Sequence, residues 1–373
     1  MDFSFSDEQG MLMDAARRLV TDQYGRDGAR QRAATADGYS RATWSEFARL
    51  GLLALNVPEE HGGLDAGPIG TLAVCFVLGE ALVVEPFLSS AVLATLAIAR
   101  LGSPEQRLQW LPRLAAGEAI AVLAHEEGDG GPVATAVRTV AVADGGEWVL
   151  DGCKSVVYHA PAADLLLVTA RIDAPTGAQT ALFAVPPDAA GVALQPYVTV
   201  DGQRAADISL HQLRLPSSAR MGAEVGADLQ AVLDQGLAAL CAETLGALER
   251  LMRMTLDYTR ERVQFGVPIA RFQALQHRMA EMATHLEFAR SMTYLAASQC
   301  VAGEPAGRAA ALSAAKVIVG QAARFVGQQA VQLHGGMGVA DEYGVSHYFK
   351  RLLAAECRFG ATAWHLTRYA GTL

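Results

Sequence analysis

The segment best equipped for chemistry is Tyr258-Thr-Arg-Glu-Arg-Val-Gln-Phe-Gly-Val-Pro-Ile-Ala-Arg-Phe-Gln-Ala-Leu-Gln-His277. A helical pattern stops at Arg262-Val-Gln-Phe265, Gly266 and Pro268 make a turn, and a second helical run begins near Phe272. An Arg262 guanidinium and a Gln264 amide presented at one turn can grip a pyrophosphate through paired hydrogen bonds, while Phe265 covers an aromatic ring. The competing reading is an ordinary helical hairpin with a surface arginine. A second segment, Gln332-Leu-His-Gly-Gly-Met-Gly-Val-Ala-Asp-Glu-Tyr343, contains Gly336-Met-Gly338-Val-Ala-Asp341, a superficial match to a dinucleotide fingerprint. That fingerprint needs a strand in front of it. Here a helical run through Ala330, Val331 and Leu333 leads in, so the glycines are expected to end a helix. His125-Glu126-Glu127 sets two carboxylates beside an imidazole, but no HExxH accompanies it, which argues against a metal site. No GxSxG occurs, which argues against a serine nucleophile.

These segments must be carried by helices at both ends of the chain and a sheet between them. Ser6 with Gln9 and Ser103 with Gln106 are capping boxes that open helices, and Trp44 to Leu55 and Thr71 to Val84 repeat the helical period. From Ala119 the texture changes to short β-branched runs: Ala119–Ala124, Val137–Val142, Glu147–Leu150, Ala163–Ala170, Ala181–Val185, Val192–Val200 and Asp207–Leu215. Asp144-Gly-Gly146 joins two of them as a hairpin. From about Ala227 the helical period returns, with runs Leu229–Glu261, Gln273–Val301 and Arg308–Leu333 long enough for an antiparallel bundle. Helices, then a sheet, then helices, without strand–helix alternation, argue against a doubly wound parallel sheet.

Composition narrows the function. The chain has 373 residues, 51% hydrophobic and 18% charged, enough apolar material for a large core. With 30 Lys and Arg against 39 Asp and Glu the net charge is −9, which argues against nucleic acid. Five scattered cysteines (Cys75, Cys153, Cys241, Cys300, Cys357) without a CxxC pair are expected to be reduced thiols. No basic segment followed by an apolar run opens the sequence, and Glu80 and Glu85 interrupt the most apolar stretch, Thr71–Leu88. A cytoplasmic protein outside the membrane is expected.

The Tyr258–His277 and Gln332–Tyr343 segments closely resemble the flavin-binding signatures of acyl-CoA dehydrogenases. Trp44–Gly63, Leu111-Pro-Arg-Leu-Ala-Ala-Gly-Glu118 and Leu150-Asp-Gly-Cys-Lys154 resemble further landmarks of that family in the same order, so the resemblance covers essentially the whole chain. It implies an α+β fold with an N-terminal helical domain (1–118), a middle antiparallel β domain (119–222) and a C-terminal four-helix bundle carrying FAD and oligomer contacts (223–373). It implies FAD lying between subunits, with Arg262, and Gln264 and Phe265 beside it, holding the pyrophosphate of the FAD bound mainly by a neighbouring chain. Gln332, Gly335 and Gly336 match the segment on the adenosine side, and Thr362 also joins the flavin-contact set. The implied activity is desaturation of an acyl-CoA thioester between its α and β carbons, with electrons passed to an electron-transfer flavoprotein. Val326–Gly336 and His347-Tyr-Phe-Lys-Arg-Leu352 resemble the branch holding the small subunit of pimeloyl-CoA dehydrogenase. A homo-oligomer, or a heterotetramer with an unlike dehydrogenase subunit, follows from the resemblance.

The sequence departs from the family at its base. Desaturation needs a carboxylate to take the α proton. The usual position falls on Gly360, within Arg358-Phe-Gly-Ala-Thr362, and the alternative position, on the helix before the Arg262 turn, falls on Gly236. Either a partner supplies the base or a displaced carboxylate does, with Glu356, Asp234 and Glu243 nearby; the partner is favoured, since Glu243 suits a structural role and Asp234 and Glu356 suit solvated or capping roles. In the β domain, His125 replaces a family threonine, and Val156 and Tyr158 replace the tryptophan and threonine beside the flavin. His125 and Tyr158, both polar, are expected either to hydrogen-bond the isoalloxazine or to form a reshaped wall beside it. The other functions open at this point are a flavin monooxygenase on the same fold and a non-catalytic subunit that completes an assembly.

Overall fold

The computed structural model describes residues 6–25, 28–128, 133–135, 137–174, 177–222 and 225–372. Helices α1 (Asp7–Tyr24), α2 (Gly28–Ala33), α3 (Arg41–Arg49), α4 (Gly67–Glu80), α5 (Thr95–Leu101) and α6 (Pro104–Ala115) come first. Strands β1 (Ala121–Ala124), β2 (Val140–Asp144), β3 (Glu147–Tyr158), β4 (Leu165–Ala174), β5 (Gly177–Val185), β6 (Val192–Val198), β7 (Arg204–Pro216) and β8 (Arg220–Met221) follow. The rest is α7 (Gly226–Glu261), a minute hairpin of β9 (Val263–Gln264) and β10 (Val267–Pro268), then α8 (Gln273–Ala302), α9 (Pro305–His334), α10 (Val345–Cys357) and α11 (Thr362–Ala370). Two compact units result, one from residues 1–30, 68–83 and 237–373, the other from 31–67 and 84–236.

In the first unit, α1 opens on the expected capping box: the Ser6 side chain accepts from Gln9 N–H and Gln9 returns to Ser6 N–H. The helix then buries Ala16, Leu19, Val20 and Tyr24. Helices α4 and α7 touch backbone to backbone, since a Cβ at Gly246 would stand 1.9 Å from the Phe76 carbonyl oxygen and one at Gly79 would stand 1.9 Å from that of Glu243. Helices α7 and α9 are long and apolar enough to pass a membrane-span criterion, yet most of each apolar window is buried inside the protein.

In the second unit the sheet runs β6-β7-β3-β2-β4-β5-β8. It is antiparallel except at β4, where β1 pairs parallel from Ala121↔Leu165 to Ala124↔Val168 and β2 makes one parallel pairing at Val140↔Arg171. The Gly145 and Gly146 turn between β2 and β3 has φ of 59° and 89°, the left-handed geometry a two-residue hairpin requires.

Two helical runs are shorter than their periodicity implies. α3 stops at Arg49 because Gly51 is left-handed, φ 74°, and Leu52–Ala54 turn as a 3-10 segment buried on all sides. α4 stops at Glu80; Leu82 takes φ 54°, and after Pro86 the chain resumes as a fully buried π-helix, Phe87–Ala94. An all-apolar run has no polar face to mark where the backbone changes phase. Conversely, β3 continues eight residues past Leu150, through Gly152 and Lys154, which sequence pattern takes for breaks.

Candidate active site

At one end of the helical unit, Arg262 N–H donates to the Tyr258 carbonyl and the Arg262 carbonyl accepts from Ile269 N–H, each at 2.8 Å. Phe265 and Gly266 sit at φ 55° and 79°, which closes β9 on β10 in two residues. The Phe265 ring stands 91% exposed, edge-on to Phe272 at 6.0 Å. The Arg262 side chain is exposed and makes no hydrogen bond or ion pair among the described residues, whereas the Gln264 amide donates to the Val263 carbonyl at 2.9 Å. One turn earlier, Tyr258 stacks on His334 at 4.4 Å and donates to its carbonyl at 3.3 Å, so the two signature segments meet. α9 ends there: Gly335 takes φ 60° and donates to the Gln332 carbonyl, while a Cβ at Gly335 or Gly336 would meet nothing within 4 Å. An uncommitted guanidinium, an exposed ring and open backbone at a helix end fit the pyrophosphate and adenine of a dinucleotide such as FAD.

The turn after α10 is held from beneath. Phe359 and Gly360 are both left-handed, φ 58° and 88°. The buried Lys316 ammonium donates to the carbonyls of Ala355 and Glu356 at 3.0 and 2.8 Å, and the buried His365 Nε2–H donates to the Phe359 carbonyl at 2.8 Å. Glu356 accepts from Thr362 N–H at 3.3 Å and from Arg324 at 3.1 Å. Burial pushes its carboxyl up, but the Thr362 N–H and hydroxyl and the Arg324 guanidinium outweigh this and hold it below the usual carboxylate range. Glu356 thus accepts from the first N–H of α11 and from Arg324, and is committed within the fold.

The other displaced carboxylates are also committed. Glu243 accepts from Arg351 Nη1 at 2.8 Å, and the same nitrogen donates to the Val83 carbonyl at 3.1 Å. Asp234, expected to be solvated or to cap a helix, is 2% exposed and accepts from the Gln230 amide at 2.9 Å. Gly236 is buried in α7.

In the sheet unit, Lys154 is fully buried against the Glu127 carboxylate and donates to Thr169 Oγ1 at 3.0 Å. Glu127 also accepts from Arg138 N–H, Thr139 N–H and the Thr139 hydroxyl, tying the two ends of one loop together. Burial lowers the Lys154 ammonium, while Lys154 and Thr139 overcome the burial of Glu127 and hold that carboxyl well below its ordinary value. His125 belongs to this interior cluster: Nδ1 meets Thr169 Oγ1 and Nε2 meets the Val133 carbonyl, both at 3.2 Å. Both ring nitrogens are engaged, so the expectation that His125 bonds the isoalloxazine is corrected: it braces the loop instead. Tyr158 lies on the opposite side of β3 from Lys154, because Tyr158 pairs with Ala205 and Lys154 with Ile208. Sequence reasoning missed the Glu127–Lys154 pair; its one signal was a lysine inside an apolar strand.

Burial, joined by the Lys154 charge, pushes His125 down to about 4, and burial pushes His365 to about 4 as well. Both rings are neutral in the fold, against a value of roughly 6.5 when unfolded. Their stabilisation is complete above pH ~6.5 and is lost as pH falls from there through 4, by up to about 3 kcal/mol per ring. Urea unfolding at about pH 7 and about pH 4.5 is expected to show this fall.

Sequence models of the acyl-CoA dehydrogenase N-terminal, middle and C-terminal domains match residues 6–118, 121–215 and 227–373. The acyl-CoA dehydrogenase FadE12 of Mycobacterium tuberculosis is 32% identical over 359 residues, covering 92% of this chain and 90% of that one. Among solved structures, the ChsE4-ChsE5 complex from Mycobacterium tuberculosis superposes with a TM-score of 0.90 at 29% identity, covering 100% of this chain and 98% of that one. A variant of the Tcur3481-Tcur3483 steroid ACAD superposes with a TM-score of 0.89 at 30% identity, covering 98% and 97%. With all three domains matched in order and a full-length relative at this identity, the chain belongs to the acyl-CoA dehydrogenase family of FAD-dependent oxidoreductases that act on CH–CH bonds.

Proposed function

We propose that this chain is the flavin-holding subunit of a heteromeric acyl-CoA dehydrogenase whose catalytic base is supplied by an unlike subunit. The observation that carries the reading is that both expected base positions are glycine and that, among the described residues, the nearby candidates Glu356, Glu243 and Asp234 each accept a hydrogen bond from a neighbouring side chain or N–H. Assembly of relatives as ChsE4-ChsE5 and Tcur3481-Tcur3483 supports the unlike pair. Arg262 and Phe265, with Gln264, Gln332, Gly335 and Gly336 around them, would hold the pyrophosphate and adenine of the FAD bound mainly by a neighbouring chain, and Tyr158 would lie at the ring of the FAD this chain itself binds. FAD supplies the acceptor for the β hydride. This chain's own part is to fix that acceptor and leave the α proton to the partner's carboxylate. Electrons leave to an electron-transfer flavoprotein in the cytoplasm. The substrate is an acyl-CoA whose acyl group is either a dicarboxylate, as the resemblance to the pimeloyl-CoA branch suggests, or ring-bearing, as the steroid relative suggests.

Exchange of the α protons of an acyl-CoA thioester in deuterated water reads the base without requiring flavin reduction. Neither a dicarboxylyl-CoA nor a steroid-ring acyl-CoA should exchange faster with this chain alone than in buffer. Exchange that begins only with an unlike subunit supports the reading, and rapid exchange by the chain alone refutes it.

A further inference from the structure

The outer face of the sheet is shaped by one exposed carboxylate. β3 pairs with β7 at Lys154↔Ile208 and resumes at Val157↔Ala206, so Ser155 and Val156 together oppose Asp207. This is a two-against-one bulge. Its second residue, Val156, sits at φ 51°, a conformation a β-branched residue avoids unless something holds it there. Asp207 does so: its Oδ1 accepts from Val156 N–H at 2.9 Å and from the Tyr197 hydroxyl at 2.9 Å.

The consequence is a change of side. Strict alternation from the buried Lys154 would send Tyr158 into the interior with it. The extra residue resets the count, so Val157 is buried with Ala206 while Tyr158 emerges on the face of Asp207. Tyr158 and Tyr197 then pair with Ala205 from its two sides, giving one row of phenol, small residue, phenol across three strands. Such a row, spanning two strand spacings or roughly 10 Å, suits the flat face of a planar ring. Burial and the Asp207 hydrogen bond raise the Tyr197 phenol to about 12, so it stays a donor to Asp207 at any physiological pH.

We infer that Asp207 is a positioning residue: by holding the Val156 N–H it keeps the bulge closed and so turns Tyr158 onto the face that takes the flavin ring. This rests on the reading above that the chain holds FAD with Tyr158 at its ring. The test compares the full-length protein with Asp207→Ala, which removes the acceptor, and Asp207→Asn, whose side-chain oxygen still accepts from Val156. In Asp207→Ala the Val156 amide should exchange with deuterated water at least tenfold faster, FAD should bind at least tenfold more weakly, and the visible flavin band should shift. Asp207→Asn should keep FAD binding and the band within about twofold of the wild type, while Tyr197 ionises closer to its ordinary value of roughly 10. FAD affinity and band unchanged in Asp207→Ala would overturn the inference. Should the wild-type chain hold no FAD, the functional reading fails by itself, and the Val156 amide then decides: exchange no faster in Asp207→Ala overturns the pin, and accelerated exchange upholds it.

Discussion

Replacing Arg262 by alanine is expected to weaken FAD retention roughly thirtyfold, the effect of losing a pair of charge-assisted hydrogen bonds to a pyrophosphate. The guanidinium has no bond of its own to lose among the described residues, so the fold should be untouched and the thermal midpoint unchanged. Arg262→Lys should recover only part of the affinity, because an ammonium supplies charge without the planar fork. Equilibrium dialysis of FAD against the three proteins measures this. Equal affinity in all three would remove Arg262 from the site and return it to the status of an ordinary surface arginine on a hairpin.

Arg351→Ala is expected to cost the most stability, about 3–5 kcal/mol, because it strands the Glu243 carboxylate and the Val83 carbonyl in the interior at once. Arg351 is 5% exposed and the Glu243 side chain 14%, so water reaches neither well enough to replace the lost donor. Urea unfolding should show the midpoint fall by that amount with little change of slope. Removing both partners, as in Glu243→Leu with Arg351→Met, should be much milder than Arg351→Ala alone, since no unpaired charge remains. A double variant as unstable as the single one would mean that packing, and not the unpaired carboxylate, sets the cost.

Much of the frame could be read from the chain before any coordinates. Capping boxes at Ser6 and Ser103, the hairpin turn at Gly145-Gly146, the turn at Gly266, and the long periodic runs of α7, α8 and α9 are local features, decided by residues within a few positions of one another. What escaped notice depends on partners far along the chain. Lys154 stands beyond the expected strand end at Leu150 until Glu127 is placed against it, and the side of β3 on which Tyr158 lies is set by the bulge opposite Asp207. Asp234 looks solvated or capping by type and is buried. His125, expected at the flavin, has both ring nitrogens engaged by Thr169 and Val133 instead. The Arg262 and Gly335 turns were legible because a few residue types suffice to fix the backbone there, while their roles toward FAD rest on the resemblance to the family.

The partner-supplied base is tested most directly by titrating the purified FAD-loaded chain, in the absence of oxygen, with dicarboxylyl-CoA and ring-bearing acyl-CoA thioesters while following the flavin absorption. The flavin should stay oxidised with every thioester when the chain is alone and bleach once an unlike dehydrogenase subunit is added. Bleaching by any thioester without that subunit would contradict the partner-supplied base and show that this chain deprotonates its substrate by itself.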